Sequence, residues 1–256
     1  EYGRGMGQLD GKVALVTGAG DGIGAGIARV FAAEGARVVV AEIDPDTGRA
    51  VADSLGDAGH FVACDVADKS QVESAVTAAI DHFGTLDVLV NNAWGGGRIS
   101  RVEHKTPELV QDGLDIGFLG PLWAMNAAHV VMKPKGWGRI INMASIVGKI
   151  GNPGQANYAA AKGGVIAFMK TMAREFARKG VTFNTICPGP TDTPLLASVD
   201  VSGGGRLTEA LTKAIPMRRL AQPDDYPGMV AFFLSDDASF ITGQTISVSG
   251  GLSMHG

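Results

Sequence analysis

The stretch Lys12-Val-Ala-Leu-Val-Thr17-Gly-Ala-Gly-Asp-Gly-Ile-Gly24 decides the fold of this chain. Its first half is an apolar run of the kind that forms a strand buried on both faces of a parallel sheet. Its second half is rich in glycine and opens a helical pattern from Ile23 to Glu34. Glycines at such a turn let the backbone approach a pyrophosphate, and the N-terminus of the next helix offers free N–H groups to it. The stretch therefore predicts the first strand–helix unit of a dinucleotide-binding sheet.

The rest of the chain continues this alternation. Short β-rich runs separated by helical patterns require right-handed crossovers and a parallel sheet covered on both faces. We predict strands at 12–17, 37–42, 60–64, 86–90, 138–143, 181–187 and 245–248. We predict helices at 23–34, between 42 and 55, and at 71–83, 108–132, 154–178 and 224–234. The predicted fold class is α/β, a Rossmann-type doubly wound parallel sheet of about seven strands with helices on both faces.

No repeat or low-complexity linker divides the chain, so we expect a single domain over residues 8–256 and interpret residues 1–7 as a tail outside the fold. The formal net charge is −4 and no basic stripe is present, which argues against nucleic acid as a partner. No apolar run approaches the ~18 residues of a membrane span. Cys64 and Cys187 lie in separate apolar runs, so we expect no disulfide and a cytoplasmic location. The five histidines lack metal-ligand spacing, so we expect no metal site.

The second predicted strand ends in an acid, Glu42. A carboxylate at this place can accept hydrogen bonds from the adenosine ribose hydroxyls and repels a 2′-phosphate. Asp21, in the glycine-rich turn, adds no compensating positive charge. The pattern favours NAD over NADP, although Glu42 could also be a solvated acid at a strand end.

Three polar side chains near the middle of the chain suggest proton transfer at a carbonyl group. Tyr158 and Lys162 are four residues apart in a helical pattern and so share one face. An ammonium one turn away should lower the pKa of a phenol, whose ordinary value of about 10 is too high for a general base. Ser145 follows a strand-like run and could hold the same carbonyl oxygen. The competing interpretation is an ordinary amphipathic helix whose lysine reaches to solvent.

Taken together, these motifs resemble the classical short-chain dehydrogenase/reductase family over nearly the whole chain, from Gly11 to Gly251. The resemblance rests on Thr17-Gly-x-x-x-Gly22-x-Gly24, Asp65, Asn91-Asn92-Ala93, the set Ser145, Tyr158 and Lys162, Pro188-Gly189-x-x-x-Thr193, and Ile241-Thr-Gly-Gln-Thr-Ile246. It implies that Ser145, Tyr158 and Lys162 are catalytic, that 194–219 is a substrate lid, and that the protein is a homotetramer. The 194–219 segment taken alone could equally be a mobile loop.

The resemblance also implies a set of binding residues. The expected NAD(H) contacts are Gly18, Asp21, Gly22, Ile23, Gly24, Glu42, Ile43, Asp65, Val66, Asn92, Ala93, Tyr158, Lys162, Pro188, Gly189, Thr191 and Thr193. The expected substrate pocket comprises Trp94, Ile146, Ile150, Asn152, Gln155, Pro190, Leu195, Leu196 and Met217. These walls are largely apolar, which favours a cyclic, terpenoid, steroid-like or aryl substrate over a charged one.

Two departures from the family pattern concern the active site. Trp94 stands where the family usually has glycine, and Gly117 stands where it usually has an asparagine that orients a water in the proton relay. We expect the missing side chain at Gly117 to leave space for a water bonded to Lys162 and a nearby main-chain carbonyl.

The function predicted from the sequence is NAD-dependent interconversion of a secondary alcohol and a ketone, a small-molecule substrate, with Tyr158 as the acid/base. One alternative is a 3-oxoacyl thioester reductase, against which Glu42 and Asp21 speak because that activity normally uses NADP. Another is a dinucleotide-binding regulatory protein with weak catalysis, which the missing asparagine at Gly117 keeps open.

Overall fold

The seven strands form one parallel sheet in the order β3-β2-β1-β4-β5-β6-β7. The structure is a computed structural model that describes residues 7–95, 99–200 and 206–254, with only the backbone at 199 and 200. The strands are β1 Val13–Thr17, β2 Arg37–Glu42, β3 Gly59–Ala63, β4 Val88–Asn91, β5 Gly138–Met143, β6 Val181–Pro188 and β7 Thr245–Val248. The predicted doubly wound parallel sheet is confirmed, and each predicted strand is present within two residues of its expected bounds.

Alternate side chains of the central strands enter two separate cores. Val13 and Leu15 of β1 belong to the cluster on one face of the sheet, and Ala14 and Val16 belong to the cluster on the other. All five β1 residues are buried, as an apolar run in a parallel sheet requires. Burial on both faces explains why β1 shows no polar–apolar alternation in the sequence.

Helices cover both faces of the sheet. The longer helices are α1 Gly22–Ala33, α2 Pro45–Ser54, α3 Lys69–Phe83, α5 Gly120–Lys135 and α7 Ala156–Phe176. The shorter ones are α4 Pro107–Leu114, α6 Val147–Ile150, α8 Pro194–Asp200, α9 Arg206–Ala214 and α10 Pro227–Leu234. Residues of α3, α5 and α7 fill one core, and residues of α1, α2 and α10 fill the other. Within the described residues, no helix combines the length and apolarity needed to cross a membrane.

The helical region predicted at 108–132 is divided by a π-helical turn, Asp115–Leu119, between α4 and α5. Glycines on this segment lie against other parts of the chain. A Cβ atom added at Gly120 would lie 2.7 Å from the carbonyl oxygen of Val66, and one at Gly113 would lie 2.7 Å from Nδ2 of Asn157. The close packing and the wider π-helical turn, a feature frequent at functional sites, set the path of this segment past the site described below.

The segment interpreted as a lid contains the two helices α8 and α9, which the sequence analysis did not predict. Leu207, Leu211 and Ala214 recur at i, i+4 and i+7 along α9, the spacing of one apolar helix face. Residues 201–205 of this segment, which include the run Gly203-Gly-Gly205, lie outside the described residues.

Candidate active site

A single cavity of about 770 Å³ lies at the carboxyl ends of the strands. It runs from the ends of β1 and β2 to the residues that follow β5 and β6. β1 and β4 are neighbours in the sheet, and the strand order reverses there, which is where doubly wound sheets bind their ligands. The site geometry is therefore a direct consequence of the sheet topology.

The glycine-rich turn after β1 forms one wall of this cavity and needs its glycines. Gly18 has a φ of +62°, and a Cβ atom there would lie 2.6 Å from Cα of Ala93. A Cβ atom at Gly24 would lie 2.1 Å from the carbonyl oxygen of Gly18. Side chains at these places would move the turn away from the strand ends, so the N-terminus of α1 faces an open cradle of backbone.

The turn is fixed to β4 by reciprocal hydrogen bonds. Asn92 donates from Nδ2 to the carbonyl oxygens of Thr17 (3.0 Å) and Gly18 (2.9 Å). Oγ1 of Thr17 accepts from the backbone N–H groups of Asn92 (3.0 Å) and Ala93 (3.2 Å). The loops after the first and fourth strands therefore form one rigid piece.

Glu42, at the end of β2, has a carboxylate that backbone N–H groups hold in position at one end of the cavity. Its Oε2 accepts a hydrogen bond from the backbone of Gly20 at 2.9 Å, and its Oε1 accepts one from the backbone of Ile43 at 2.8 Å. The pKa of Asp21 is raised, first by burial and then by the charge of Glu42. Two acids thus lie together where the sequence placed the adenosine ribose, a poor environment for a phosphate.

Ser145, Tyr158 and Lys162 all line the same cavity. Ser145 follows β5 and is 6% exposed, and its Oγ accepts a hydrogen bond from the backbone of Val147 at 3.1 Å. Lys162 is 3% exposed, and its Nζ donates to the carbonyl oxygen of Met143 at 2.9 Å. A hydroxyl, a phenol and an ammonium converge here, which is the equipment for exchanging a proton with a carbonyl or alcohol oxygen.

Burial is the main cause of the pKa shifts of Tyr158 and Lys162. It raises the pKa of Tyr158, and the hydrogen bond from Ser145 acts in the opposite direction. It lowers the pKa of Lys162 to about 8. The expectation that the ammonium brings the pKa of Tyr158 below its ordinary value is therefore wrong for the free protein, because desolvation of the phenolate outweighs the effect of nearby groups.

The short helix α6 sets the distance between the serine and the lysine. A Cβ atom at Gly148 would lie 2.8 Å from the carbonyl carbon of Lys162 and 2.9 Å from the backbone nitrogen of Gly163. Gly148 thus lets α6 rest directly on the backbone of α7. The segment that carries Ser145 and the helix that carries Lys162 are held in contact without an intervening side chain.

The expected water site beside Gly117 is wrong, because a side chain fills that space. A Cβ atom at Gly117 would lie 2.6 Å from Cζ3 of Trp94 and 2.9 Å from Cβ of Ala161. The indole ring of Trp94 also lies edge-on to Tyr158, with ring centroids 4.6 Å apart. The two departures from the family pattern are thus in contact with each other.

Most residues assigned from the sequence line this one cavity, and two do not. Gly24 packs behind the turn instead of facing the cavity. Met217 is 64% exposed and lines a smaller adjacent depression. The cavity lining comprises the other expected cofactor and pocket residues, including Ile43, Asp65, Val66, Pro188, Gly189, Thr191, Thr193, Trp94, Ile146, Ile150, Asn152, Gln155, Pro190, Leu195 and Leu196.

Sequence reasoning missed part of the pocket wall. Ile99, Leu207, Leu211, Ala214 and Leu252 also line the cavity. The periodicity of α9 could have predicted three of them, whereas Ile99 and Leu252 carry no local signal. Among the described residues, no three His, Cys, Asp or Glu side chains gather in a way that could hold a metal ion.

The fold and the site together define an oxidoreductase that uses a nicotinamide dinucleotide. The glycine cradle, the helix N-terminus and the acid at the end of β2 fit the phosphates and ribose of such a cofactor, and the hydroxyl, phenol and ammonium lie further along the same cavity. Residues 18–253 match a protein family described as "Enoyl-(Acyl carrier protein) reductase". The chain belongs to the short-chain dehydrogenase/reductase family.

Individual relatives extend along nearly the whole chain. The 3-oxoacyl-(acyl-carrier-protein) reductase FabG of Vibrio cholerae is 41% identical over 96% of this chain and 99% of its own length. The oxidoreductase UcpA of Salmonella typhimurium is 38% identical over 96% of each chain. The crystal structure of 3-ketoacyl-(acyl-carrier-protein) reductase from Brucella melitensis complexed with NADH superimposes with a TM-score of 0.90. That protein is 36% identical and is matched over 96% of this chain and 100% of its own.

Proposed function

We propose that this protein is an NADH-dependent reductase of 3-oxoacyl thioesters. The observation that carries the proposal is the 41% identity with a 3-oxoacyl-(acyl-carrier-protein) reductase over 96% of the chain. This replaces the broader interpretation as a secondary-alcohol dehydrogenase. The objection raised from Glu42 loses its weight, because the 3-ketoacyl-(acyl-carrier-protein) reductase from Brucella melitensis was crystallised in complex with NADH.

In this proposal Ser145, Tyr158 and Lys162 divide the chemistry between them. When bound, the nicotinamide supplies the hydride that the carbonyl carbon accepts. The carbonyl oxygen then needs a proton, which the phenol of Tyr158 donates while the hydroxyl of Ser145 holds that oxygen. The ammonium of Lys162 favours the phenolate that remains and binds the nicotinamide ribose.

The cofactor preference follows from the acids at the adenosine end. Glu42 is already held by the backbone of Gly20 and Ile43, so its charge cannot swing away from a ligand. Asp21 adds a second carboxylate. A ribose with both hydroxyls free can donate to Glu42, whereas a 2′-phosphate would meet a like charge. We therefore propose NADH as the physiological cofactor.

The substrate end of the cavity suits an acyl chain. Its mouth is bordered by apolar side chains that remain partly exposed, Ile150 at 48% and Leu195 at 49%, and the apolar face of α9 lies beside them. Apolar walls of this kind bind hydrocarbon by removing it from water. The thioester carrier would remain outside, and the 3-oxo group would reach Ser145 and Tyr158.

Two other functions stay open to test. A secondary-alcohol dehydrogenase acting on a bulky apolar alcohol would use the same residues, and the apolar cavity is the observation that favours it. A regulatory protein that only binds a dinucleotide would need the cradle and could use Lys162 for the ribose, but it would not need the hydroxyl of Ser145 in the same cavity.

Initial rates separate the three functions. The purified protein is given NADH with acetoacetyl thioesters of coenzyme A and of an acyl carrier protein, and NAD with a panel of secondary alcohols. We expect kcat/KM for a thioester to exceed that for any alcohol or simple ketone by at least about tenfold. A preference for an alcohol in the panel would reinstate the dehydrogenase, and NADH binding without turnover of any substrate would favour the regulatory protein.

A further inference from the structure

The ring of Trp94 touches both members of the helix pair Tyr158 and Lys162. Its centroid lies 4.6 Å from that of Tyr158 with an angle of 61° between the planes, an edge-on arrangement that aromatic rings prefer. Nζ of Lys162 lies 5.5 Å from the centroid of the Trp94 ring, within the range of a cation–π interaction. One loop residue thus contacts two groups that are proposed to move the proton.

The same ring excludes any side chain at position 117. A Cβ atom at Gly117 would approach Cζ3 of Trp94 to 2.6 Å, a separation that real Cβ atoms essentially never show. Ala161, one residue before Lys162, closes the other side at 2.9 Å. The ring of Trp94 and a side chain at position 117 would therefore occupy the same space, and in this chain the ring occupies it.

We propose that Trp94 is a positioning residue for Tyr158 and Lys162, and that Gly117 exists to admit its ring. The inference rests on the proposed function only in taking Tyr158 and Lys162 as the pair that handles the proton. The edge contact restricts the Tyr158 ring to one orientation beside Ser145. The electron-rich ring stabilises the ammonium form of Lys162 at a place where water cannot.

The effect of the Trp94 ring on the charge of Lys162 can be separated from the effects of other groups near the lysine. Besides Trp94, the groups that interact with Lys162 are the carbonyl oxygen of Met143, Tyr158 on the same helix and the Cys187 thiol on β6, and Lys149 of α6 acts in turn on Cys187. A substitution at position 94 leaves Cys187 and Lys149 in place, but it removes the edge contact with Tyr158 together with the ring beside Lys162. A variant that keeps an aromatic ring at this position, compared with one that lacks it, therefore isolates the effect of the ring on the titration of the pair.

The first experiment uses thermal stability to test whether the cost of a side chain at position 117 depends on Trp94. Gly117→Ala, Trp94→Ala and the double variant are unfolded thermally beside Gly228→Ala, a control at a helical glycine with open space around it. We expect Gly117→Ala to lower Tm by at least about 3 °C when Trp94 is present and by no more than about half of that amount when residue 94 is alanine, because the contact with Ala161 remains. Equal effects in both backgrounds would overturn the pairing.

The second experiment tests positioning through the pH profile. Trp94→Leu keeps bulk without an aromatic ring, and Trp94→Phe keeps a ring, so the two form a matched pair. With NADH and a 3-oxo ester as the probe substrate, we expect Trp94→Leu to shift the alkaline limb of kcat/KM to lower pH by about 0.5 to 1 unit. Trp94→Phe should shift it by less than half of that amount. A purely structural role would lower the rate at every pH and leave the limb in place, which would overturn the inference.

Because the probe is a 3-oxo ester and not a thioester, failure of this inference can be told apart from failure of the proposed function. A wild-type protein that reduces the 3-oxo ester but not a 3-oxoacyl thioester overturns the proposed function, and the pH profile of the Trp94 variants then decides the inference by itself. A wild-type protein that reduces neither, although it binds NADH, overturns both.

Discussion

The carboxylate of Glu42 and the backbone N–H of Gly20 are joined by a hydrogen bond of 2.9 Å that ties the end of β2 to the glycine-rich turn. The contact is close enough that a side chain at residue 20 would displace its neighbours. A Cβ atom there would lie 2.5 Å from Oγ1 of Thr47 and 2.8 Å from Cγ of Glu42. The acid that is proposed to bind the adenosine ribose thus also holds the glycine-rich turn in place.

The first prediction is that kcat/KM with NADH far exceeds that with NADPH, and that Glu42→Ala narrows the ratio at least about tenfold. Removal of the charge relieves the repulsion of a 2′-phosphate, while loss of the bond to Gly20 lowers activity with both cofactors. Asp46→Asn is the matched control, since Asp46 lies on the same segment but does not line the cavity. Equal use of the two cofactors by the wild type would contradict the assignment of Glu42.

The second prediction concerns the proton donor. Tyr158→Phe should lose about 10²- to 10⁴-fold in turnover and keep most of its affinity for NADH, because the other expected cofactor contacts remain. Tyr226→Phe is the control, because Tyr226 is fully buried and its hydroxyl bonds Thr191 at 2.6 Å. We expect the control to be less stable yet to keep most of its turnover. If Tyr158→Phe retained more than about a tenth of the wild-type rate, another group would be the acid.

The third prediction is a pH dependence of stability that belongs to Lys162. Its pKa falls from 10.5 to about 8 on folding, so between these values the unfolded state holds more protons than the folded state. The contribution of Lys162 therefore makes the wild type more stable as pH rises from about 8 to about 10.5, by at most ~1.4 kcal/mol per pH unit. Lys162→Met lacks this contribution.

Denaturant unfolding of both proteins at about pH 7, 8.5 and 10 measures the difference. The comparison cancels the buried thiol of Cys64, whose raised pKa acts in the opposite direction as pH rises. We expect the stability of the wild type relative to Lys162→Met to increase across the series. A constant difference would mean that burial does not perturb this lysine.

The fourth prediction concerns the contact between α6 and α7. Gly148→Ala should destabilise the protein by about 1–3 kcal/mol and reduce turnover, because the added methyl group meets backbone atoms that cannot rotate away. Gly228→Ala adds the same methyl group to α10 with nothing within 4 Å, and we expect it to be neutral or slightly stabilising. Similar losses in both variants would show that the packing at Gly148 is not special.

The fifth prediction is a homotetramer. Large apolar side chains remain exposed on this chain, among them Val130 of α5 at 62% and Phe240 at 101%. Contacts between copies would remove such side chains from water. Light scattering at micromolar concentration should give the mass of four chains, and the mass of one chain would count against the prediction.

The sheet could be predicted from the sequence because buried parallel strands are recorded as unbroken apolar runs. β1 is an example, with every residue buried, and the buried middle of β2, residues 38–41, is another. The glycine-rich turn could also be predicted, because the close approach of Gly18 to Ala93 requires glycine there. These features depend on neighbours in the sheet that the alternation of strands and helices already specifies.

The relationship between Trp94 and Gly117 could not be predicted in the same way. Each was recognised as a departure from the family pattern, but nothing local reveals that the ring of one occupies the space beside the other. The rise in the pKa of Tyr158 was not predicted for a related reason, since it depends on how deeply the folded chain buries the phenol. Contacts between loops and helices distant in sequence set both properties.

The bonds between Asn92 and the glycine-rich turn also have a consequence for biosynthesis. They join residues 75 and 74 positions apart, whereas β1 pairs with β2 across a short connection, Val13 opposite Arg37. A chain leaving the ribosome can therefore form the pair β1–β2 early, but β1 keeps an open edge until β4 has been synthesised. Non-local pairing of this kind is slow, and exposed strand edges aggregate. The cradle is completed only when that edge closes, so the interval between the synthesis of β1 and that of β4 is when the nascent chain is most exposed to aggregation.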